Sequence, residues 1–129
     1  MINNKKILIT GAGGYLGSNL CYLFSKLNYD LVCLDINKNR LNFLKKKLHK
    51  FKNQKYYFSV DITDQKKIFE VFNNLKKKKF NISIIINNAA NNPSVKKTKE
   101  AKLMNIKDWK NDLDVGLMGS YIITKTFVD

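Results

Sequence analysis

The chain has 129 residues, 44% of them hydrophobic, and a net charge of +14 from 24 basic and 10 acidic side chains. That length supports one domain at most, with a real core, the hydrophobic share suits a globular protein and not a disordered one, and no apolar run approaches the roughly 18 residues that cross a bilayer. The charge invites a nucleic-acid reading, but Arg40 is the one arginine among the basic residues, so the bidentate guanidinium contacts that read guanine are nearly missing.

The lysines scatter over every polar face, and the Lys-Asn-Ile bias resembles coding in AT-rich DNA. Nonspecific affinity for polyanions at low salt is expected, with no specific nucleic-acid partner and no membrane partner. Met1-Ile-Asn-Asn-Lys-Lys leads directly into a strand, so no signal peptide is expected. Cys21 and Cys33 have no motif spacing and read as small buried apolar residues of a reducing cytoplasm, with no metal site.

In chain order, Ile7 to Ile9 reads as a buried parallel strand. It breaks into glycines at 11, 13, 14 and 17, and Leu16, Leu20, Leu23, Phe24 and Leu27 then recur at the spacing of one helix face. Strand, glycine turn and helix present free backbone N–H groups to a phosphate at the helix N-terminus. Gly11, Gly13 and Gly14 permit a tight turn and a close pyrophosphate, while Gly17 lets helix and strand pack closely. The fitting template is Thr-Gly-x-x-Gly-x-x-Gly from Thr10 to Gly17, with Tyr15 and Leu16 inside it. Alone, such a turn is equally well a tight connection. It gains weight from Leu31-Val-Cys-Leu-Asp35, a second apolar run ending in an acid 18 residues after Gly17. A dinucleotide fold places there the carboxylate that accepts hydrogen bonds from the adenosine ribose. The alternative is that Asp35 caps the next helix.

From Arg40 to Phe51 a helix face carries Leu41, Leu44, Leu48 and Phe51, with Lys45, Lys46 and Lys47 turned mostly to water. His49 lacks an acidic or cysteine partner nearby and reads as a surface residue. Tyr56 to Val60 is a third strand, followed by Asp61-Ile-Thr-Asp64, where Thr63 or Asp64 can cap a helix. That helix shows Ile68, Val71, Phe72 and Leu75 on one face, then a lysine run from Lys76 to Lys79 that suits its negative end. Ile82 to Ile86 is the fourth strand and leads into Asn87-Asn-Ala-Ala90, whose small residues leave room for a flat ligand. A lysine-rich loop from Asn91 to about Met104 holds the one proline, Pro93. The segment Trp109 to Phe127 is expected to keep Leu113, Leu117 and Thr124 on one face, with Gly116, Gly119 and Ser120 packing closely.

Thr10 to Gly17, Asp35, Asp61-Ile62, Asn87 to Ala90 and the Trp109…Gly119 segment occur in an order and at spacings that resemble the short-chain dehydrogenase/reductase (SDR) family. The resemblance covers essentially the whole chain and only the first half of the family's domain. It implies a Rossmann-type α/β fold over residues 1–129, a parallel sheet of strand order 3-2-1-4 with helices on both faces, stopping before a fifth strand. It implies that Thr10, Gly11, Gly13, Gly14, Tyr15, Leu16 and Gly17 hold a pyrophosphate. Asp35 and Ile36 would receive the adenosine ribose, favouring NAD over NADP. Asp61 and Ile62 would flank the adenine, and Asn87, Asn88, Ala89 and Ala90 would line the nucleoside. More faintly, Asn-Ala-Ala-Asn-Asn-Pro with Asp-Val-Gly-Leu-Met-Gly119 resembles members associated with bacterial surface-sugar biosynthesis.

Two departures matter. Where the family's common pattern carries an active-site Asn in the helix after Trp109, this chain has Gly116. The Ser and Tyr-x-x-x-Lys set is also missing; Tyr22…Lys26 and Tyr121…Lys125 are helix neighbours that follow no fifth strand. No catalytic residue is therefore assigned. The expectation is the NAD-binding part of an oxidoreductase that acts on a small carbonyl or alcohol, a homo-oligomer when complete and inactive as these residues alone. The alternatives are a non-catalytic dinucleotide-binding or regulatory module and a truncated reading frame.

Overall fold

Four apolar runs form one parallel sheet, β1 (Lys6–Thr10), β2 (Asp30–Asp35), β3 (Lys55–Ser59) and β4 (Ile84–Ile86), in the order β3-β2-β1-β4. The computed structural model describes residues 5–91 and 106–128. The order is the expected one. β1 pairs with β2 from Lys6↔Asp30 to Thr10↔Leu34 and with β4 from Ile7↔Ile84 to Ile9↔Ile86. A strand flanked on both sides and covered on both faces sees no water, which is why β1 and β2 read as continuous apolar runs. β3 and β4 begin or end a residue or two away from the expected limits, as strand ends commonly do.

Helices α1 (Tyr15–Lys26), α2 (Lys38–Leu48) and α3 (Gln65–Lys77) connect the strands. α2 buries Leu41, Leu44 and Leu48 as its pattern requires, and ends before Phe51, whose ring meets Tyr22 edge-on at 5.2 Å. Its cap is Asn37, whose side chain accepts the Arg40 N–H at 3.0 Å, so Asp35 is not the capping residue. Asp64 caps α3 through the Lys67 N–H at 3.1 Å, and His49 is exposed at the end of α2.

The buried face of α1 differs from the expected leucine face. Gly17, Cys21 and Ser25 are buried, Leu20 and Phe24 pack beside them, and Leu16, Leu23 and Leu27 are exposed. Small residues four apart let this helix lie close to the sheet, and that close approach displaces the larger leucines to its flanks. The Cys21 and Cys33 thiols meet across this contact at 3.7 Å, buried and unbridged.

The last helical segment also departs from its reading. It runs as α4 (Ile106–Leu113), a π-helical turn (Asp114–Gly119) and α5 (Ser120–Val128). Leu113, Leu117 and Thr124 are exposed, whereas Ile123 is fully buried with Val115, Ile122 and Phe127 packed around it. The wider turn inserts a residue into the 3.6 repeat and rotates the buried face away from the one that regular spacing gives. Gly119 packs closely, since a Cβ there would lie 2.5 Å from Ile62 Cδ1, but Gly116 faces open space. The Asn91–Met104 loop with Pro93 lies outside the described residues apart from Asn91.

The core divides about the sheet. Leu8, Val32, Leu34, Ile68, Leu75 and Ile123 pack on one face; Ile7, Ile9, Leu31, Leu41, Leu44 and Leu48 pack on the other. No helix among the described residues is long and apolar enough to cross a membrane.

Candidate functional site

The site forms where β1 ends. Thr10 is fully buried, and Gly11 turns the chain with φ +62°, a conformation that side chains disfavour. The Gly14 N–H donates to the Gly11 carbonyl at 3.1 Å, and α1 starts one residue later. Gly14 offers no side chain to cap α1, and the first turn carries no acid. The N–H groups of Tyr15, Leu16 and Gly17 therefore point out of the helix end without intrahelical acceptors, an arrangement that suits an anion. Gly17 is obligatory for this closeness, because a Cβ there would collide with the Gly11 carbonyl oxygen.

Two neighbours fix the turn. Thr10 Oγ1 accepts the N–H groups of Asn88 and Ala89, each at 3.0 Å, and Asn88 Nδ2 donates to the Thr10 and Gly11 carbonyls at 3.1 and 3.3 Å. On the other side Asp35, 7% exposed, accepts the Gly13 N–H on Oδ2 and the Asn37 N–H on Oδ1, both at 2.8 Å. α2 comes close here too, since a Cβ on Gly13 would lie 2.6 Å from Arg40 Cβ. After β3, Asp61 Oδ1 accepts the Thr63 N–H and hydroxyl at 2.9 and 2.7 Å.

These pieces border a cavity of about 850 Å³ across the carboxyl ends of the strands, where open α/β sheets bind ligands. Gly11, Gly13, Gly14, Tyr15, Leu16, Asp35, Ile36, Asp61, Ile62, Asn88, Ala89 and Ala90 all line it. Thr10, Gly17 and Asn87 stand behind the wall. Thr10 latches the turn, Gly17 packs beneath it, and the Asn87 amide donates to Thr124 Oγ1 at 3.1 Å. Arg40, Val60, Asn91 and Val115 complete the lining. Lys38 and Arg40 both lie close enough to Asp35 in the sequence to blur a preference for NAD, and of the two Arg40 is at the cavity wall. Val115 arrives through the π turn, which regular periodicity conceals. The glycine cradle, the free helix end and the carboxylate together fit a nicotinamide dinucleotide. Among the described residues no cluster of three metal-ligating side chains occurs.

Neither tyrosine–lysine pair is at the cavity wall. The Tyr22 hydroxyl accepts from Lys50 at 3.2 Å, and that bond, with the Lys50 charge, holds its pKa below the ordinary phenol value. Lys125 lies over the Tyr121 ring at 5.7 Å from its centroid, and the tyrosine is more than half exposed.

The short chain dehydrogenase family model matches residues 5–129, and the chain belongs to that family. It is 33% identical over 108 residues to estradiol 17-beta-dehydrogenase 11 of Rattus norvegicus, covering 76% of this chain and 36% of that protein. It is 29% identical over 124 residues to 17-beta-hydroxysteroid dehydrogenase 13 of Homo sapiens, covering 95% and 39%. Carveol dehydrogenase from Mycobacterium avium, solved in complex with NAD, superposes with a TM-score of 0.80 at 16% identity, covering 98% of this chain and 49% of that one. Alcohol dehydrogenase from the archaeon Thermococcus sibiricus, complexed with 5-hydroxy-NADP, gives 0.82 at 18% identity, covering 98% and 53%. The chain thus carries the family's NAD(P)-binding Rossmann fold and spans about half the length, or less, of these proteins.

Proposed function

We propose that the cavity holds NAD and that these residues form the cofactor-binding half of an oxidoreductase acting on a carbonyl or hydroxyl carbon of a small molecule. The observation that carries this is the Asp35 carboxylate, held at the cavity wall beside the uncapped N-terminus of α1. The pyrophosphate lies against the turn at Gly13, Gly14, Tyr15 and Leu16. Each Asp35 oxygen already accepts one backbone N–H and keeps a lone pair for a ribose hydroxyl. Ile36 and Ile62 offer apolar surface to the adenine beside Asp61, and Asn88, Ala89 and Ala90 border the rest of the nucleoside. Thr10, Gly17 and Asn87 keep this wall in place.

Bound there, the nicotinamide supplies the hydride acceptor or donor. The chain's own residues bind and orient it and exclude water from the sheet end. Proton transfer needs an acid or base in reach of the reacting oxygen, and no tyrosine–lysine pair of this chain lines the cavity. Position 116 offers a glycine and no side chain. These 129 residues alone therefore bind cofactor and do not turn over substrate. Gly116 equally favours a second reading, a dinucleotide-binding module with no catalysis of its own.

Calorimetric titration tests the binding. NAD is expected to bind more tightly than NADP, because a carboxylate accepts from two ribose hydroxyls and repels a 2′-phosphate, a difference of about 1–3 kcal/mol. No heat with either cofactor removes the reading. Following NADH fluorescence with a panel of alcohols and sugar nucleotides tests the rest, and turnover abolished by Tyr121→Phe would place that tyrosine in the chemistry.

A further inference from the structure

Sequence alone spreads the lysines over every polar face, but the fold gathers many of them at one end. All four strands are parallel, so their amino ends share one pole with the C-termini of the helices that return the chain. Lys26 closes α1, Lys45 to Lys47 close α2, and Lys76 and Lys77 close α3. The negative end of each helix accounts for cations in those last turns. It does not account for Lys5, Lys50, Lys52 and Lys79, which lie outside any helix or strand and are exposed at the same pole. Lys79 even holds φ +54°, at a helix end where glycine or asparagine is usual and where α1 has Asn28 at φ +62°. Among the described residues the one acid at this pole is Asp30, which is buried and whose Oδ1 accepts the Gln54 N–H at 2.8 Å. Asp35, Asp61 and Asp64 lie at the opposite ends of the strands, beside the cavity or capping α3.

We propose that this lysine pole docks on the anionic phospholipid headgroups of a bilayer surface, a peripheral contact made by ammonium groups that have no carboxylate partner among the described residues. Two observations favour a bilayer over a nucleic acid. Leu23 and Leu27, 48% and 57% exposed, stand beside Lys26 and gain by entering the headgroup boundary, whereas a phosphate backbone offers them nothing. The rings at this end also have ammonium groups over their faces and present no platform to stacking bases. Lys50 lies over Tyr22 and Phe51 at 4.9 and 5.3 Å from their centroids, and Lys78 over Tyr56 at 5.6 Å. The cavity opens at the other ends of the strands, so the contact leaves it uncovered and does not depend on what it holds.

The test is sedimentation of the chain with vesicles of phosphatidylcholine alone and of phosphatidylcholine with phosphatidylserine, at two salt concentrations, beside titration with a DNA duplex. Binding to the phosphatidylserine vesicles, weakened by added salt, is expected, with none to phosphatidylcholine alone. The combined variant Lys26→Gln, Lys46→Gln, Lys52→Gln, Lys77→Gln removes pole lysines that lie over no ring, and is expected to bind those vesicles about thirtyfold more weakly or worse. The control Lys38→Gln, Lys66→Gln, Lys107→Gln, Lys110→Gln has the same net charge and is expected to lose less than about threefold. Leu27→Gln is expected to weaken vesicle binding about fivefold and to leave duplex binding unchanged. All variants are expected to melt with the parent chain, which shows that the fold is not the cause. Equal losses in the two lysine variants overturn the proposal by assigning the binding to net charge. A duplex bound more tightly than the vesicles overturns it in favour of a nucleic acid, and Leu27→Gln binding vesicles as the parent does overturns it too. Absence of binding to the phosphatidylserine vesicles, or equal binding to both kinds, removes it altogether.

Discussion

Asp35 carries a structural burden beside the recognition role proposed for it. It joins β2, the glycine turn and the entry to α2 through two charged hydrogen bonds, and bonds to a buried charge are worth more than neutral ones. Asp35→Ala is expected to cost about 2–4 kcal/mol in urea unfolding and to remove NAD binding. Asp35→Asn keeps one acceptor oxygen and is expected to lie between the two; an alanine variant as stable as the parent would show that these bonds contribute nothing. Two glycines make a second contrast. A methyl group at Gly17 meets the Gly11 carbonyl and the Asn88 amide, whereas one at Gly116 meets nothing within 4 Å. Gly17→Ala is expected to destabilise by about 2 kcal/mol or more and to abolish cofactor binding. Gly116→Ala is expected to stabilise by roughly 0.5–1 kcal/mol through lower backbone entropy and better helix propensity. Thermal melts of both variants decide the matter, and the same sign of shift in both would defeat the argument.

β3 and β4 are the edge strands of the described sheet, and β4 is the more apolar of the two. It is three residues long, pairs with β1 alone among the described residues, and Ile84 is 36% exposed. A strand edge with free N–H and C=O groups and apolar side chains is a template for another chain. The stripe formed by Trp109 (61% exposed), Leu113, Leu117 and Tyr121 adds apolar surface. These residues are therefore expected to self-associate at high concentration, and Ile84→Lys to reduce that association; light scattering that shows a monomer throughout would count against it. How far sequence reading reaches is visible in these same elements. The strands were legible because β1 and β2 are covered on both faces, which forces apolar runs. α2 and α3 were legible because each rests one stripe on the sheet and wets the other. α1 was misread because its contact is made by Gly17, Cys21 and Ser25, residues too small to register as an apolar face. The last helix was misread because a π turn leaves no mark in a 3.6-residue count. The glycine spacing from Thr10 to Gly17 and the acid that ends the second apolar run pointed to residues that the structure brings to one end of the sheet, but the outward turn of Asn87 toward Thr124 depends on packing that a tetrapeptide does not encode.

For the whole molecule, two protons that the folded chain keeps set an alkaline limit. The Cys33 thiol is held well above its ordinary value of 9.0 by its contact with Cys21 and by burial. Burial likewise pushes Tyr57 above its ordinary 10.0. The unfolded chain loses both protons first, so their contribution is complete below pH 9.0 and is lost as pH rises beyond it. Lys55, lowered by burial, opposes this, but it is more exposed and its effect is smaller. The urea midpoint is expected to fall steadily between about pH 9 and about pH 11, and the double variant Cys21→Val, Cys33→Val to delay the onset toward the tyrosine range. A flat profile in the parent chain would contradict this.

The latch at Thr10 has a kinetic meaning. Its hydroxyl oxygen is bonded to Asn88 and Ala89, residues 78 and 79 positions further along the chain. The turn's other ties reach less far along the chain, from Gly13 to Asp35 and from Ala12 to Leu34, apart from the bond that the Asn88 amide adds at Gly11. The turn can form early, but it reaches its final shape only after a loop of that length has closed, and closure of long loops is what slows folding of parallel sheets. Dinucleotide binding at this turn is therefore expected to follow the pairing of β4 with β1. On refolding, helical circular dichroism should return before the capacity to bind dinucleotide, and the interval between them measures the arrival of β4.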